Sequence, residues 1–531
     1  MRFRRPRQLL GVVALAGALS QCAAANAEWV QVDSPDVRIV SNESVRDVRK
    51  IARQIAVYRA VVRDFFPEWT LTSSSRPVLF IVDRRLWANY IREEKNDVGY
   101  ETRLRGGHFM IVDGDVWEGA RTTVFHELSH HLLSLNLRGN RLPLWYSEGL
   151  ADFLSTARIW WSLTDTQIEL GLAPVDRMYT LATEPWIPIH RILSATKESS
   201  LYNDPRISSS YYAESWLLVH YAFVGDPEWT AAMRRYLAAY SSGHPSDEAF
   251  VAALPDDHGE FEARIRKYIG GTRIPLVRRA VPLMPELKLE EQSMSDADAR
   301  LALGRYLVES NPARPQTLAY LDESIRLAGP DSPIAVLRQA LEVRRGRPTA
   351  AAPPPVAACE RPDINAVVLA LCGDVARNFA EMAASQSAGE ANGAAARSAE
   401  TARAYYDRAR ASGDTSLTTL ESYGDTQVVS SGGDPTIRNA LESALAQSPG
   451  SAALAELVAD LWLRDDPGRS LRILRAALRD ADSAEGVSAI LRDIRAAEAR
   501  VIASDAPRSG EPAPSPSAAP TGSATPTPPR P

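Results

Sequence analysis

Short runs of apolar residues mark four β-strands in the first part of the chain. Apolar and polar residues alternate over 29–32 and again over 37–40, which predicts a hairpin. Unbroken apolar runs follow at 77–82 and 108–112, and runs of this length are typical of buried strands. The chain therefore begins with a small sheet.

Helical spacing dominates between and after these strands. From Val45 to Phe66, apolar residues recur at every third or fourth position, which predicts one amphipathic helix. From Val116 to about Ile269 the pattern is mainly helical. A small sheet followed by helices is an α+β layout, and we assign it to residues 28–275.

Composition changes beyond Leu276, where Ala, Leu and Arg become frequent. Residues 276–347 have the length and spacing of tetratricopeptide-like helical hairpins, 348–362 form a proline-rich linker, and 363–504 form an Ala-rich helical region. Residues 505–531 are mostly Pro, Ser, Ala and Thr, which predicts a disordered tail. The second half is thus expected to be an all-α helical-repeat region.

The N-terminus has the pattern of an export signal. Four arginines precede eleven apolar residues from Leu9 to Leu19, and the Ala-Asn-Ala sequence at 25–27 follows. As a helix the apolar run would span ~16 Å, too short for a bilayer core of ~30 Å. We therefore predict a signal peptide at 1–27 and a periplasmic or secreted protein. A lipoprotein anchored at Cys22 is the alternative, although Gln21 replaces the small residue usual there, and only lipidation would attach the chain to a membrane.

Net charge argues against nucleic acid as a partner. The chain carries −6, and removal of the four arginines in the signal segment would make this −10, so there is no basic field to attract phosphate. With 45% hydrophobic and 24% charged residues, the chain has the composition of a globular protein.

Two cysteines remain after signal removal. Cys359 and Cys372 are thirteen positions apart, and an even pair in an exported chain favours a disulfide. Two buried free thiols are the alternative.

A His-Glu-x-x-His sequence supplies candidate metal ligands. His126 and His130 are four residues apart, so on a helix both imidazoles lie on one face and can bind one ion. Glu148 follows eighteen residues later, a distance that lets a second helix return its carboxylate to the same metal. Two His and one Glu leave a fourth tetrahedral position for water, as in catalytic zinc sites. Asp152, one turn after Glu148, is a candidate acceptor for the outer N–H of a ligand His.

These residues resemble the gluzincin metallopeptidases, which include thermolysin-like and aminopeptidase-N-like proteases. A closer likeness is to secreted bacterial peptidase-MA-like proteins of unknown function, whose Pro-x-Trp-x-x-Glu-Gly-x-Ala pattern is present at 143–151. The resemblance covers about residues 28–270. It implies a gluzincin-like catalytic domain that binds zinc. The Gly-x-Met-Glu-Asn motif of aminopeptidase-N-like enzymes is absent, so we do not expect aminopeptidase activity.

The resemblance also implies residue roles. Glu127 would be the general base, and Tyr212 the donor that stabilises the oxyanion, with Tyr211 as the alternative. His220 shares an apolar stripe with Tyr212 and is expected to be a core residue. His131 points ~100° away from His130 on an ideal helix, so we expect a surface or packing role.

The sequence thus predicts an exported zinc metallopeptidase, an endopeptidase acting on peptides or proteins, with a protein partner for the helical repeats. The alternatives are an envelope scaffold with a vestigial metal site and a zinc hydrolase of non-peptide amides.

The strand from Gly106 to Val112 precedes the His-Glu-x-x-His helix, as the edge strand does in gluzincins. We predict that it is an edge strand, that it pairs with an extended substrate, and that Met110→Pro would impair turnover. His108, on this strand, is a further candidate site residue.

Overall fold

The computed structural model describes the residues 29–71, 76–93, 98–137, 142–161, 166–196, 198–204, 206–254, 257–271, 273–281, 287–346, 357–361, 364–385, 390–430, 434–447, 451–480 and 484–505. The predicted signal peptide with Cys22, most of the predicted linker and nearly all of the predicted tail lie outside these residues.

Nine strands form two sheets within the described residues: β1 (Trp29–Asp33), β2 (Arg38–Ser41), β3 (Val78–Val82), β4 (Gly99–Leu104), β5 (Gly107–Asp113), β6 (Arg158–Trp161), β7 (Thr166–Leu170), β8 (Val277–Val281) and β9 (Glu290–Met294). The larger sheet has the order β4-β5-β3-β2-β1-β9, and the smaller is β6-β7-β8. Strands β2, β3 and β5 run parallel, whereas β4, β1 and β9 are antiparallel to their neighbours. The predicted hairpin is confirmed, since Val32 of β1 lies opposite Ile39 of β2 and both are fully buried.

The predicted edge strand is wrong. β5 lies between β4 and β3, so its Met110 is paired with Leu79 on one side and Glu101 on the other. In the described part of the chain, β4 is the strand at this end of the sheet. The apolar pattern missed β4 because most of its residues are small, polar or charged.

The boundary predicted at 275/276 also moves. β8 pairs with β7, and β9 pairs along the whole of β1, so the α+β part extends to Met294. Glu291 of β9 also forms an ion pair with Arg49 at 2.5 Å. This strand is almost entirely polar and exposed, so no apolar periodicity marked it.

Eleven α-helices lie in the described α+β part: α1 (Val45–Phe65), α2 (Arg84–Leu86), α3 (Trp117–Leu137), α4 (Leu144–Ser155), α5 (Val175–Thr183), α6 (Ile189–Leu193), α7 (Ser200–Asn203), α8 (Ser208–His220), α9 (Pro227–Ser241), α10 (Ser246–Ala253) and α11 (His258–Ile269). Trp87–Ile91 and Tyr221–Gly225 are π-helical, and Gly114–Val116 is a 3₁₀ turn. One face of the sheet packs against α1, α3, α4 and α8 in the largest core.

Two contacts fix the helices that carry the predicted ligands. Tyr58 of α1 stacks on Phe125 of α3, with ring centroids 4.3 Å apart, and its hydroxyl donates to the Phe125 carbonyl at 3.1 Å. Gly149 of α4 lies against the backbone of Ser215 in α8, where any Cβ would collide with the Ser215 carbonyl. Helix α4 therefore approaches α8 closely, with no side chain between them at this point.

Eleven further helices make up the described helical region: α12 (Asp296–Ser310), α13 (Pro315–Ala328), α14 (Pro333–Arg344), α15 (Ala357–Glu360), α16 (Ala366–Ser385), α17 (Glu390–Ala411), α18 (Leu417–Ser430), α19 (Pro435–Gln447), α20 (Ala452–Leu463), α21 (Pro467–Asp480) and α22 (Ala484–Asp505). Helices α12 to α14 and α16 share a second core with the other face of the larger sheet.

Cys359 and Cys372 form a disulfide between α15 and α16. The α+β class with a helical second half is therefore observed, and the tetratricopeptide-like character of the helices stays a prediction. No helix among the described residues is long and apolar enough to span a bilayer.

Candidate metal centre

The structure brings His126, His130 and Glu148 to one point. The two Nε2 atoms of the histidines lie 3.1 Å apart on α3. The Glu148 Oε2 atom, on α4, lies 3.4 Å from the Nε2 of His126 and 3.3 Å from that of His130. Candidate ligand atoms of all three residues fall within 4.8 Å of one another.

These separations fit a tetrahedral zinc ion. Ligands bound at ~2.0–2.1 Å in tetrahedral geometry lie about 3.3 Å apart, which is close to the three measured separations. The side chain of Glu148 is 5% exposed, whereas His126 and His130 keep 17% and 20% exposure. Two His and one buried carboxylate therefore fit the ion, with the histidines on the more accessible side.

The outer nitrogens of both histidines are also held. The Nδ1 atom of His126 lies 2.9 Å from Asp152 Oδ1, so an Nδ1–H donor there leaves Nε2 as the metal-binding atom. The Ser147 hydroxyl lies 3.3 Å from Nδ1 of His130. Asp152 Oδ2 in turn accepts a hydrogen bond from Nε of Arg177, on α5, at 2.9 Å. Asp152 thus has the position predicted for it, and Arg177 adds a contact that the sequence did not indicate.

Electrostatics at the centre favour a cation. Burial opposes ionisation of Glu148, but the charges and hydrogen bonds of His130 and His126 outweigh it and hold the pKa of this carboxyl well below its usual range. Burial also opposes the charged form of His126, yet hydrogen bonds to Asp152 and Glu148 raise its pKa well above the ordinary value. A positive charge between these carboxylates is therefore stabilised, and a bound metal ion would replace the proton as that charge.

Glu127 has the electrostatic environment of a proton acceptor. Burial raises its pKa, while the neighbouring His126 and His130 lower it, and the net result is a pKa above the ordinary value. It does not belong to the group of three ligand candidates. A carboxyl in this environment takes up a proton more readily than an exposed one, as a general base requires.

The two tyrosines predicted as oxyanion donors differ in access. Tyr211 is fully buried, which excludes it from contact with a substrate. Tyr212 is half-buried, and the guanidinium of Arg177 lies 5.3 Å from its ring centroid. Burial and the charge of Glu148 raise the pKa of Tyr212, so its hydroxyl remains a hydrogen-bond donor across the physiological range. Tyr212 is therefore the better candidate.

Tyr202, on α7, is a site residue that sequence reasoning missed. Its hydroxyl donates to Oε1 of Glu148 at 3.4 Å, and its ring centroid lies 5.9 Å from that of Tyr212. Burial and the charge of Glu148 raise its pKa to about 12, so it too stays protonated. No motif or spacing relates Tyr202 to the ligands, because only the packing of α7 beside α8 brings it there.

Three other histidines, His108, His131 and His220, lie in the α+β part near the candidate metal centre or in its core. His220 is fully buried and satisfied: Nε2–H donates to the Gly171 carbonyl and Nδ1 accepts from Tyr268, both at 3.0 Å. Burial lowers its pKa to about 4, as expected for a neutral core residue. His131 is also buried, with its ring centroid 4.5 Å from that of His108, so its role is packing rather than surface exposure. His108 is not among the three ligand candidates.

Comparison with known proteins adds no relative. No family model matches the chain, and no curated protein is significantly similar to it. The motif and the geometry of the candidate metal centre therefore carry the evidence for function.

Proposed function

We propose that this protein is an exported zinc metallopeptidase that acts as an endopeptidase. The observation that carries the proposal is the tetrahedral spacing of His126, His130 and Glu148, with Glu127 on the same helix as the two histidines. The ligands, the general base and the oxyanion donor would have the roles that their counterparts have in gluzincins, which these motifs resemble. The disulfide between Cys359 and Cys372 supports an oxidising compartment, and hence export.

A zinc ion held by these residues would lower the pKa of a water molecule and polarise a carbonyl group. Glu127 would accept the proton from the attacking water and later deliver it to the leaving amine. Asp152, held by Arg177, keeps His126 in one tautomer and orientation. The Tyr212 hydroxyl would donate to the oxyanion.

An extended peptide fits this centre best along β4. β4 lies beside α3, since a Cβ on Gly99 would be 3.6 Å from Thr123 Cγ2. The charge of Glu101 on β4 also acts on Glu127. Because β4 ends the larger sheet within the described residues, main-chain pairing would orient a substrate largely without regard to its side chains. The role predicted for the strand of Gly106 to Val112 therefore passes to β4.

Replacement of Glu127 tests the proposal. Glu127→Ala should keep its zinc, because Glu127 is not a ligand, and should lose turnover of unfolded protein substrates by a factor of ~10² or more. The control is Glu262→Gln, which alters a carboxylate that accepts the N–H of Ile189. Zinc content is measured by mass spectrometry and cleavage by a proteomic screen with both proteins.

The screen also separates the competing functions. Zinc binding with identical peptide cleavage by wild type and Glu127→Ala, and no turnover of cell-wall amides by either, would refute the enzyme and favour a scaffold. Turnover of cell-wall amides without cleavage of peptides would refute the peptidase but retain the zinc hydrolase.

A further inference from the structure

The turn between β4 and β5 is held by a helix from the second half of the chain. The Gly106 N–H donates to Oε2 of Glu421 at 2.8 Å. The Arg105 guanidinium forms an ion pair with Asp425, and the Thr418 hydroxyl lies 3.5 Å from the Arg105 carbonyl. The three helix residues are spaced by three and four, so they occupy one face of α18. We call Thr418, Glu421 and Asp425 the hairpin clamp.

The backbone of the turn is shaped for this contact. Gly106 has φ +85°, a conformation that L side chains rarely adopt, and a Cβ there would collide with the Thr418 hydroxyl. Only glycine therefore allows both the tight turn and the approach of α18.

The hairpin clamp is anchored in the interior of the helical region. Arg377 of α16 is 6% exposed and donates to Asp425 at 3.3 Å and to Glu381 at 2.7 Å. Asp425 thus pairs with Arg377 inside the helical region and with Arg105 on the hairpin. Loss of Asp425 would remove the carboxylate that Arg105 and Arg377 share, although Arg377 would keep its bond to Glu381.

The body of the same hairpin faces the metal-binding helix. Nδ1 of His108 on β5 lies 3.0 Å from Oε1 of Glu101 on β4, and the His108 ring lies against His131 of α3. A Cβ on Gly99 of β4 would lie 3.6 Å from Thr123 Cγ2 of the same helix. The hairpin therefore connects α18 at its turn to the metal centre along its strands.

We propose that the hairpin clamp is a positioning device: it fixes the β4–β5 hairpin as the wall along which substrate lies, so the helical region is part of the catalytic unit. This inference rests on the proposed peptidase function. Glu421, which is 7% exposed, acts through the Gly106 amide and does not touch the reacting atoms. Its removal should weaken substrate binding rather than metal binding.

The test uses the full mature chain with Glu421→Ala, which removes the acceptor for Gly106, and Glu421→Gln, which keeps one. Hydrogen exchange of the peptides spanning 99–113 should become about 10-fold faster in Glu421→Ala, the effect of one lost hydrogen bond to a buried acceptor, and should recover in Glu421→Gln. Glu442→Ala is the matched control, because Glu442 pairs with Arg469 at 2.7 Å elsewhere in the helical region.

Activity gives a second readout. For peptides that extend along β4, KM should rise about 10-fold in Glu421→Ala with a smaller change in kcat, while zinc content stays at the wild-type level. Arg105→Ala, which releases the hairpin from its own side, should act in the same direction and replaces Glu421→Ala if that variant fails to fold.

The outcomes separate the two proposals. Native exchange at 99–113 in Glu421→Ala and Arg105→Ala would overturn the hairpin clamp, as would an unchanged KM with an active enzyme. If the wild type cleaves no peptide, the proposed function fails, and the exchange data alone decide whether α18 fixes the hairpin.

Discussion

Glu214 gives a sharp prediction about stability and pH. It lies on α8, two residues after Tyr212, and is 5% exposed. Its Oε1 accepts the Ile187 N–H at 2.8 Å, and apolar residues such as Trp186 and Phe261 surround it. Burial raises its pKa to about 8, against smaller lowering effects from the Ile187 hydrogen bond and the charge of Arg266.

The direction in which stability changes with pH follows from proton binding. A carboxyl whose pKa is higher in the folded than in the unfolded chain makes the folded state bind more protons, so the free energy of unfolding falls as pH rises from the unfolded to the folded pKa. For Glu214 this window runs from 4.5 to about 8. At 1.36 kcal/mol per pKa unit, wild type should lose about 3 kcal/mol between pH 5 and pH 8 from this group alone.

Glu214→Gln should remove that loss. Gln keeps an oxygen that accepts the Ile187 N–H but cannot ionise, so the free energy of unfolding of the variant relative to wild type should rise by about 3 kcal/mol from pH 5 to pH 8. Urea unfolding at both pH values is followed by hydrogen exchange of peptides from α8, which isolates this part of a multidomain chain. Glu228→Gln is the control, since Glu228 is an exposed carboxylate on α9. Equal pH dependence in wild type and Glu214→Gln would refute the reasoning.

Two further predictions concern the metal and the disulfide. One zinc should bind per chain, as measured by titration. His126→Ala or Glu148→Ala should abolish this binding, while Glu127→Ala should retain it. Loss of zinc in Glu127→Ala would show that the roles of the residues are misassigned. The disulfide between Cys359 and Cys372, which closes a fourteen-residue loop, should stabilise the helical region by ~3 kcal/mol. Thiol labelling of the unfolded, unreduced mature protein should find no free cysteine. Two labelled thiols would reject the bond.

Most of the candidate metal centre could be predicted from the local spacing of residues along the chain. The four-residue separation of His126 and His130 fixes their relative position once α3 forms, and the pattern around Glu148 indicated the second helix. Arg177 and Tyr202 could not be found in this way. They lie on separate short helices, and only tertiary packing brings them to Asp152 and Glu148.

The order of the strands could not be predicted from the sequence for a related reason. The apolar run of β5 identified a strand but not its neighbours, because a buried interior strand and a strand at the end of a sheet can share the same composition. β4 and β9 are rich in polar residues and were missed, although they form the two ends of the larger sheet within the described residues. Pairing of the backbone, rather than burial of side chains, defines them.

The position of β9 has a consequence for how the protein is made. Among the described strands, β1 is synthesised first and its partner β2 follows directly, but the partner of its other edge, Glu290–Met294, is synthesised only after helices α1 to α11. Until then β1 presents an open row of backbone donors and acceptors, which is a template for pairing with other chains. The candidate metal ligands are therefore synthesised well before the sheet is complete. Closure of the sheet therefore waits for Glu290–Met294, in whichever compartment the chain folds.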